Sequence, residues 1–342
     1  MKFFRLKSTL PRVLFLSLIL SYSGLSAQTD VDGLMKKGVS LFDARQYEAA
    51  KEVFEQVLQQ QANHPMAMYE LGYTEYALGH LGKAIEWADR AIDSEDSRTM
   101  EPAYLLKGSA LDDLGETKKA IKTYKAGAKS FPESRLFPFN LGVRYFRSED
   151  LEKAEEELIK SLSLNPVHGS SHYLLGQLKM VQNERIPALM ALQFFLVLEA
   201  RSNRSADARE RMAYLIGFGV ERQDERNISV SLDPDAMDKP FGTRDMLISF
   251  KVASLMGNDS LNGAEKELDI LRSVLIGLGT DSDNFWKQTY ASFFDRCEAD
   301  GQFENMYYHS RSGSEADLIQ SWLRLHANEM QEYYRWMEGI YR

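Results

Sequence analysis

From Val31 to Ser202 the apolar positions recur at helical spacing in paired stripes, each pair divided by a short polar or glycine break. The breaks fall at Ala44-Arg45-Gln46, Gly79, Gly115, Ser148-Glu149-Asp150 and Gln182-Asn183-Glu184. Pro132 and Pro166 stop the second stripes of the third and fourth pairs. Two amphipathic stripes about a break predict a helical hairpin, repeated five times. Small residues keep the same register. Gly38, Gly72, Gly108, Gly142 and Gly176 are 34, 36, 34 and 34 residues apart, and Ala50, Ala84, Ala120, Ala154 and Ala188 follow each glycine by twelve. The two series stay in step through a two-residue insertion near Ser97 to Met100. A glycine inside a helix costs about 1 kcal/mol relative to alanine, so close approach of two helix backbones is expected to offset it.

The repeated residues resemble the tetratricopeptide repeat (TPR) family. The fourth unit carries Asn140-Leu141-Gly142, Tyr145-Phe146, Leu151-Glu152-Lys153-Ala154 and Leu164-Asn165-Pro166, and the second carries Leu71-Gly72, Tyr76, Gly79 and Gly82-Lys83-Ala84-Ile85. The first ends in Tyr47-Glu48-Ala49-Ala50 with Phe54 four residues on. Departures are Lys37 and Lys107 in place of a leucine, Pro138 in a first helix, and Arg185 in place of an apolar turn residue. The resemblance implies an all-α fold: a right-handed α-solenoid of hairpins over 31–64, 65–98, 101–134, 135–168 and 169–202, then a helical, TPR-like or capping region over 203–342. In the family the first helices line a concave groove where peptides lie. Carried over, that groove holds Met35, Val39 and Phe42; Tyr69, Tyr73 and Tyr76; Leu105, Ser109 and Asp112; Phe139, Val143 and Phe146; and Tyr173, Gln177 and Met180. Members that grip a C-terminal carboxylate use Lys, Asn and Arg there, and only Asn140 matches, which disfavours that mode. The resemblance points instead to an apolar, aromatic groove in which Met35, Phe42, Tyr69, Tyr73, Tyr76, Phe139, Phe146, Tyr173 and Gln177 meet the partner. An apolar segment of a partner, or this chain's own C-terminal helices, is expected to cover it, unless the rings pack between repeats.

Beyond Ser202 the period is lost but helical stripes persist, near 206–219, 243–256, 263–278, 284–299 and 315–340. Faint echoes of the repeat remain at Ala264 with Leu268 and at Gly301-Gln302-Phe303-Glu304. Between 222 and 242, Ile228, Val230 and Leu232 alternate with polar residues; a loop pinned by three apolar anchors is preferred there over a short strand. Residues 300–314, rich in Gly and Ser, read as a second mobile connection. The last helix is loaded with Trp322, Tyr333, Tyr334, Trp336 and Tyr341 beside Leu318, Leu325, Met330 and Met337, which suits core packing first and a dimer or partner face second.

Composition changes the picture mainly at the N-terminus. Lys2, Arg5, Lys7 and Arg12 precede an apolar run from Val13 to Leu20 and the small residues Ser21 to Ala27, the layout of a secretory signal peptide over 1–27. The run is shorter than a membrane span, so no transmembrane anchor is expected after cleavage. Removing those four cations would take the formal charge from −9 to −13. An acidic body with interspersed Lys and Arg argues against nucleic acid. Cys297, the lone cysteine, excludes an intrachain disulfide and sits at helical spacing with Tyr290, Phe293 and Phe294, as a buried small residue would. Sequons at Asn203, Asn227 and Asn258 matter only in a host that glycosylates exported proteins.

Chemistry is sparse. His168 and His172 are four apart without a carboxylate motif, His309 and His326 are isolated, and no phosphate loop, nucleophile elbow or paired-cysteine motif occurs. No catalytic residue, metal ligand or cofactor is expected. The sequence therefore reads as a scaffold, exported to a periplasm or secreted, that binds a protein or peptide partner. The competing readings are a structural protein that forms a homo-oligomer through its aromatic C-terminal helix and, more remotely, an enzyme with its site in the C-terminal half.

Overall fold

The computed structural model describes residues 30–224, 227–232, 241–256, 258, 260–278 and 284–340. The expected signal peptide and Tyr341 lie outside them. The chain divides after Pro132 into two compact units. Unit 1 holds three hairpins: α1 (30–43) with α2 (Tyr47–Gln60), α3 (Pro65–Ala77) with α4 (Leu81–Asp93), and α5 (Ser97–Asp113) with α6 (Thr117–Ser130). Unit 2 holds two more, α7 (Leu136–Arg147) with α8 (Leu151–Leu164) and α9 (Gly169–Val181) with α10 (Arg185–Leu198). It continues through α11 (Ser205–Gly217), the strands β1 (Val220–Arg222) and β2 (Ile228–Val230), α12 (Gly242–Met256) and α13 (Gly263–Leu275). A π-helical turn at Lys287–Ala291 leads into α14 (Ser292–Ala299), followed by α15 (Phe303–Ser310), α16 (Asp317–Leu325) and α17 (Ala327–Ile340). Among the described residues the fold is all-α apart from one two-stranded ribbon, and no helix there is long and apolar enough to cross a membrane.

One backbone device ends every first helix of the five hairpins. The left-handed residue is Arg45 (φ 59°), Gly79 (79°), Gly115 (77°), Glu149 (60°) or Asn183 (54°), always seven residues after the repeat glycine. Its N–H, and the N–H after it, return to carbonyls three and five residues back, as in Gly79 to Tyr76 at 2.9 Å and His80 to Glu75 at 2.8 Å. That is a Schellman closure, which satisfies carbonyls the helix end would otherwise leave bare. The two-residue insertion is taken up in α5. This helix has 17 residues against 13 in α3 and α9, and Asp96 caps its added first turn by accepting the Arg98 N–H at 2.9 Å.

The repeat glycines do allow close approach, but chiefly to a side chain one turn beyond the alanine. A methyl group at Gly38 would fall 2.5 Å from the Phe54 ring, at Gly108 2.2 Å from Tyr124, at Gly142 2.9 Å from Leu158 and at Gly176 2.7 Å from Leu192. All five repeat alanines are fully buried beside these contacts. Ala88 holds the equivalent place in the second hairpin, and there Gly72 meets the Cβ of Trp87 and a methyl of Leu106 instead.

Unit 2 is built around α10. Thirteen of its fourteen residues are buried, so it is enclosed on every side and not merely along one stripe. It packs against α9, α11, α15 and the π-helical turn. Three expectations are corrected here. Residues 300–314 are not a mobile connection: Gly301 closes α14 with φ 68°, and α15 then buries Phe303, Met306, Tyr307 and Tyr308. Residues 228–232 are not an anchored loop throughout: β2 pairs antiparallel with β1, Val220 opposite Val230, and the ribbon packs on α12. The stripe over 315–340 is two helices, interrupted at His326, whose Nδ1 meets the Trp322 carbonyl oxygen at 2.9 Å.

Candidate functional site

In unit 1 the first helices α1 and α3 bring several of the expected rings together. Phe42 stacks on Tyr73 at 5.0 Å between ring centroids, Tyr73 stacks on Tyr69 at 6.1 Å, and Tyr47 tilts against Phe42 at 5.1 Å. The roots of the face are embedded in the core. Met35 and Phe42 lie on the cluster of Ala50, Phe54 and Leu71, and Tyr69 lies on Met68, Ala91 and Ala103. Rings packing between adjacent repeats therefore account for part of the stripe, while Tyr73 remains 40% exposed and Val39 38%. Tyr76 donates to Asp113. Burial first, and the Asp113 carboxylate next, push the Tyr76 hydroxyl up to about 12. Burial and then Glu70 and Tyr73 do the same for Tyr69, also to about 12. Both hydroxyls stay protonated across the physiological range, so they act as donors. Leu105, Ser109 and Asp112 on α5 are half-buried, and Ser109 lies 3.2 Å from the Tyr124 hydroxyl.

Unit 2 carries its own set. Phe139 meets His168 edge-on at 4.9 Å, and Phe146, Val143, Gln177 and Met180 are half-buried. Tyr173 tilts against Phe195 at 4.9 Å and donates to Asp207 of α11, while the Arg204 guanidinium sits 5.4 Å from its ring centre. C-terminal residues thus occupy the surroundings of Tyr173. The aromatic load of the last two helices is largely used inside the unit. Trp322 stacks on Tyr308 at 3.7 Å, Trp336 donates to Asp300 at 2.8 Å, and Met330 and Tyr333 are buried. Leu325 stays 80% exposed.

Several buried polar groups are spoken for as structure. Glu75, 2% exposed, accepts from Lys51 at 2.9 Å and lies 2.6 Å from His80 Nδ1. Burial raises this carboxyl, but the Lys51 and His80 hydrogen bonds and the Lys51 and Lys83 charges outweigh it and hold the group below the usual carboxylate range. His172 has both ring nitrogens engaged, Nε2 donating to the Pro166 carbonyl at 2.8 Å and Nδ1 accepting from Tyr290 at 2.7 Å. Lys179 bridges Glu155 and Glu184 at 2.7 and 3.2 Å. Cys297 is fully buried, and burial raises its thiol. Among the described residues no three His, Cys, Asp or Glu side chains gather as metal ligands.

Arg185 is the residue whose importance the sequence pattern hid. Its Nε and Nη2 donate to the Leu215 and Ile216 carbonyls at 2.6 and 2.8 Å, and its Nη1 to Ser249 and Asp245 at 2.8 and 3.1 Å. It caps the end of α11 and ties α10 to α12. A cleft of about 280 Å³ beside it is lined by Met180, Tyr214, Phe218 and Asp245.

Comparison with known proteins bears on the hairpins. The tetratricopeptide repeat pattern matches residues 35–98 and 105–166. A TPR repeat-containing protein of Methanocaldococcus jannaschii is 27% identical over 128 residues, 37% of this chain and 22% of its own length. An anaphase-promoting complex subunit of Saccharomyces cerevisiae is 24% identical over 214 residues, 60% of this chain and 24% of its own. The chain thus spans less than a quarter of the length of these curated relatives. The solved pilF protein of Pseudomonas aeruginosa superposes with a TM-score of 0.46 at 20% identity, covering 56% of this chain and 90% of that one. With the pattern matched on both segments and the glycine, alanine and left-handed turn recurring together, residues 35–98 and 105–166 are tetratricopeptide repeats.

Proposed function

We propose that this protein is an exported scaffold that holds a segment of another protein against the aromatic face of unit 1. The observation that carries the reading is the ladder Tyr69–Tyr73–Phe42, anchored in the core at both ends and open to solvent at Tyr73. Rigid rings with little conformational freedom to lose are effective contact surface, and large aromatic side chains dominate binding energy at protein interfaces. The face offers contact area and hydroxyl donors; it presents no nucleophile aligned with a base, which suits holding over turnover. Export rests on the basic start, apolar run and small-residue stretch of residues 1–27.

A photo-crosslinking amino acid at Tyr73 tests the reading in the native host, with the exposed Glu86 on α4 as the control position. A discrete protein adduct is expected from position 73 and not from 86, and Tyr73→Ala should weaken capture of the crosslinked partner roughly tenfold, the scale of one well-packed ring. Equal adducts from both positions would sink the groove. The intact mass of the chain from the extracytoplasmic fraction should lack the residues up to Ser26 or Ala27; a full-length mass there would count against cleavage.

A further inference from the structure

Two carboxylates stand at the edge of the ring ladder. Asp43 follows Phe42 at the end of α1, and Glu70 follows Tyr69 on α3. Neither has a cation or hydrogen-bond donor on its side chain among the described residues, although each is near the other. Burial first, then the Asp43 charge, raise the Glu70 carboxyl. The placement is costly on three counts. Glu70 is half-buried without a side-chain partner among the described residues, the Asp43 charge acts on it unfavourably, and Asp43 sits at the negative end of a helix dipole. Two other charges of unit 1 that leave the solvent do so with a partner, Glu75 with Lys51 and Lys107 with Asp89. An uncompensated pair of carboxylates beside stacked ring faces is complementary to one kind of side chain. Ring faces and carboxylates both attract a cation, and the rings also cover its aliphatic stem.

Building on the reading of unit 1 as a binding face, we infer that its occupant is a segment that places an arginine or lysine, flanked by apolar residues, between the Phe42–Tyr73–Tyr69 ladder and the Asp43–Glu70 pair. The apolar flanks take the rings, the cation neutralises the pair, and the repulsion stored in the free protein is relieved on binding. The acidic pair then works against acidic segments, which gives the face a selectivity that ring contacts alone lack.

The test uses the full chain and short fluorescein-labelled peptides that share one apolar framework and differ only in a central arginine, lysine, glutamine or glutamate, read by anisotropy at low and high salt. The arginine and lysine peptides are expected to bind more tightly than the glutamine peptide and to weaken as salt rises, with the glutamate peptide weakest. Glu70→Gln and Asp43→Asn should each weaken the arginine peptide roughly five- to tenfold and leave the glutamine peptide unchanged. Each also removes a repulsion, so neither variant should melt below the parent chain. Glu152→Gln, an exposed carboxylate on α8, should change nothing and guards against attraction to an acidic surface at large. An arginine peptide that binds no better than its glutamine counterpart, or that Glu152→Gln weakens as much as Glu70→Gln, overturns the cationic occupant. In that event a glutamine peptide lost on Tyr73→Ala shows the ring face still at work. Peptides indifferent to Tyr73→Ala, or no binding by any of them, would remove the ring face as well.

Discussion

At the scale of single residues, the glycine of each hairpin is fixed by what leans on it. Tyr124 is 3% exposed, and its ring crosses the backbone of Gly108 so closely that a methyl there would overlap it. Alanine at that position gains helix propensity but forces a buried ring aside. Overpacking of this kind costs about 1–3 kcal/mol, more than the roughly 1 kcal/mol gained. Gly82 on α4 makes the contrast, because a methyl there meets nothing within 4 Å. Gly108→Ala should therefore lower the denaturant midpoint and Gly82→Ala should raise it slightly; equal shifts would show that the contact is not limiting. The sequence made the glycines and alanines legible because the spacing repeats, and it showed Phe54 one turn past Ala50. It did not disclose that this next-turn position, not the alanine, fills the glycine's space, since the occupant varies among Phe54, Tyr124, Leu158 and Leu192. The left-handed turn was equally veiled, with Arg45 and Glu149 standing where Gly79 and Gly115 stand in other hairpins.

At the scale of elements, the hairpins were readable from periodicity and the C-terminal half only in part, for identifiable reasons. The stripe of α15 covers eight residues next to Gly301 and before Gly313, so turn composition masked two helical turns whose aromatic side chains are all inward. The ribbon of β1 and β2 has three residues in each strand, too few for alternation to outweigh a loop. In α10 the signal was present: a run that is apolar all round belongs in an interior, which implies that later helices must enclose it. Arg185, at the start of that helix, departs from the repeat because it serves these later helices. Replacing it with leucine, closer to the family pattern, would leave the Leu215 and Ile216 carbonyls and the Asp245 carboxylate without their donor. Removing one partner from a buried ion pair costs about 3–5 kcal/mol, so Arg185→Leu should destabilise unit 2 by about 3 kcal/mol. Arg185→Lys should recover little, since one ammonium cannot reproduce a planar fork with four acceptors. Amide exchange at the end of α11 is the direct measurement; protection unchanged there in Arg185→Leu would refute the capping role. Of the expected site, the unit 1 rings were legible as a stripe on the first helices, whereas the meeting of Asp43 with Glu70 depends on neighbouring hairpins and had no signal along the chain.

For the molecule as a whole, the two units should part company in acid. His172 joins α9 to the π-helical turn, and burial, assisted by the nearby His168 and opposed by the hydrogen bond to Pro166, lowers its imidazole from the ordinary 6.5 to about 4. Burial also lowers His168 and His309, and all three lie in unit 2. The unfolded chain takes up a proton on His172 below about 6.5, while the folded chain refuses it until about 4. Stability contributed by the neutral imidazole is thus complete above pH 7 and drains away as pH falls through that window, by on the order of 3 kcal/mol for His172 alone. In unit 1 the buried Glu75, held below its ordinary 4.5, keeps its Lys51 and His80 contacts through most of the same range and loses them only at lower pH. Because the fold holds two compact units, this loss need not appear as one transition. Amide exchange compared between pH 7 and pH 5, corrected for the intrinsic rate, should show α9, α10 and the π-helical turn loosening while α2 to α4 hold their protection. His172→Gln should shrink that difference, because the substituted side chain takes up no proton in the window. Loosening of equal size in both units, or an undiminished effect in His172→Gln, would show that acid acts through the net charge of the chain and not through this imidazole.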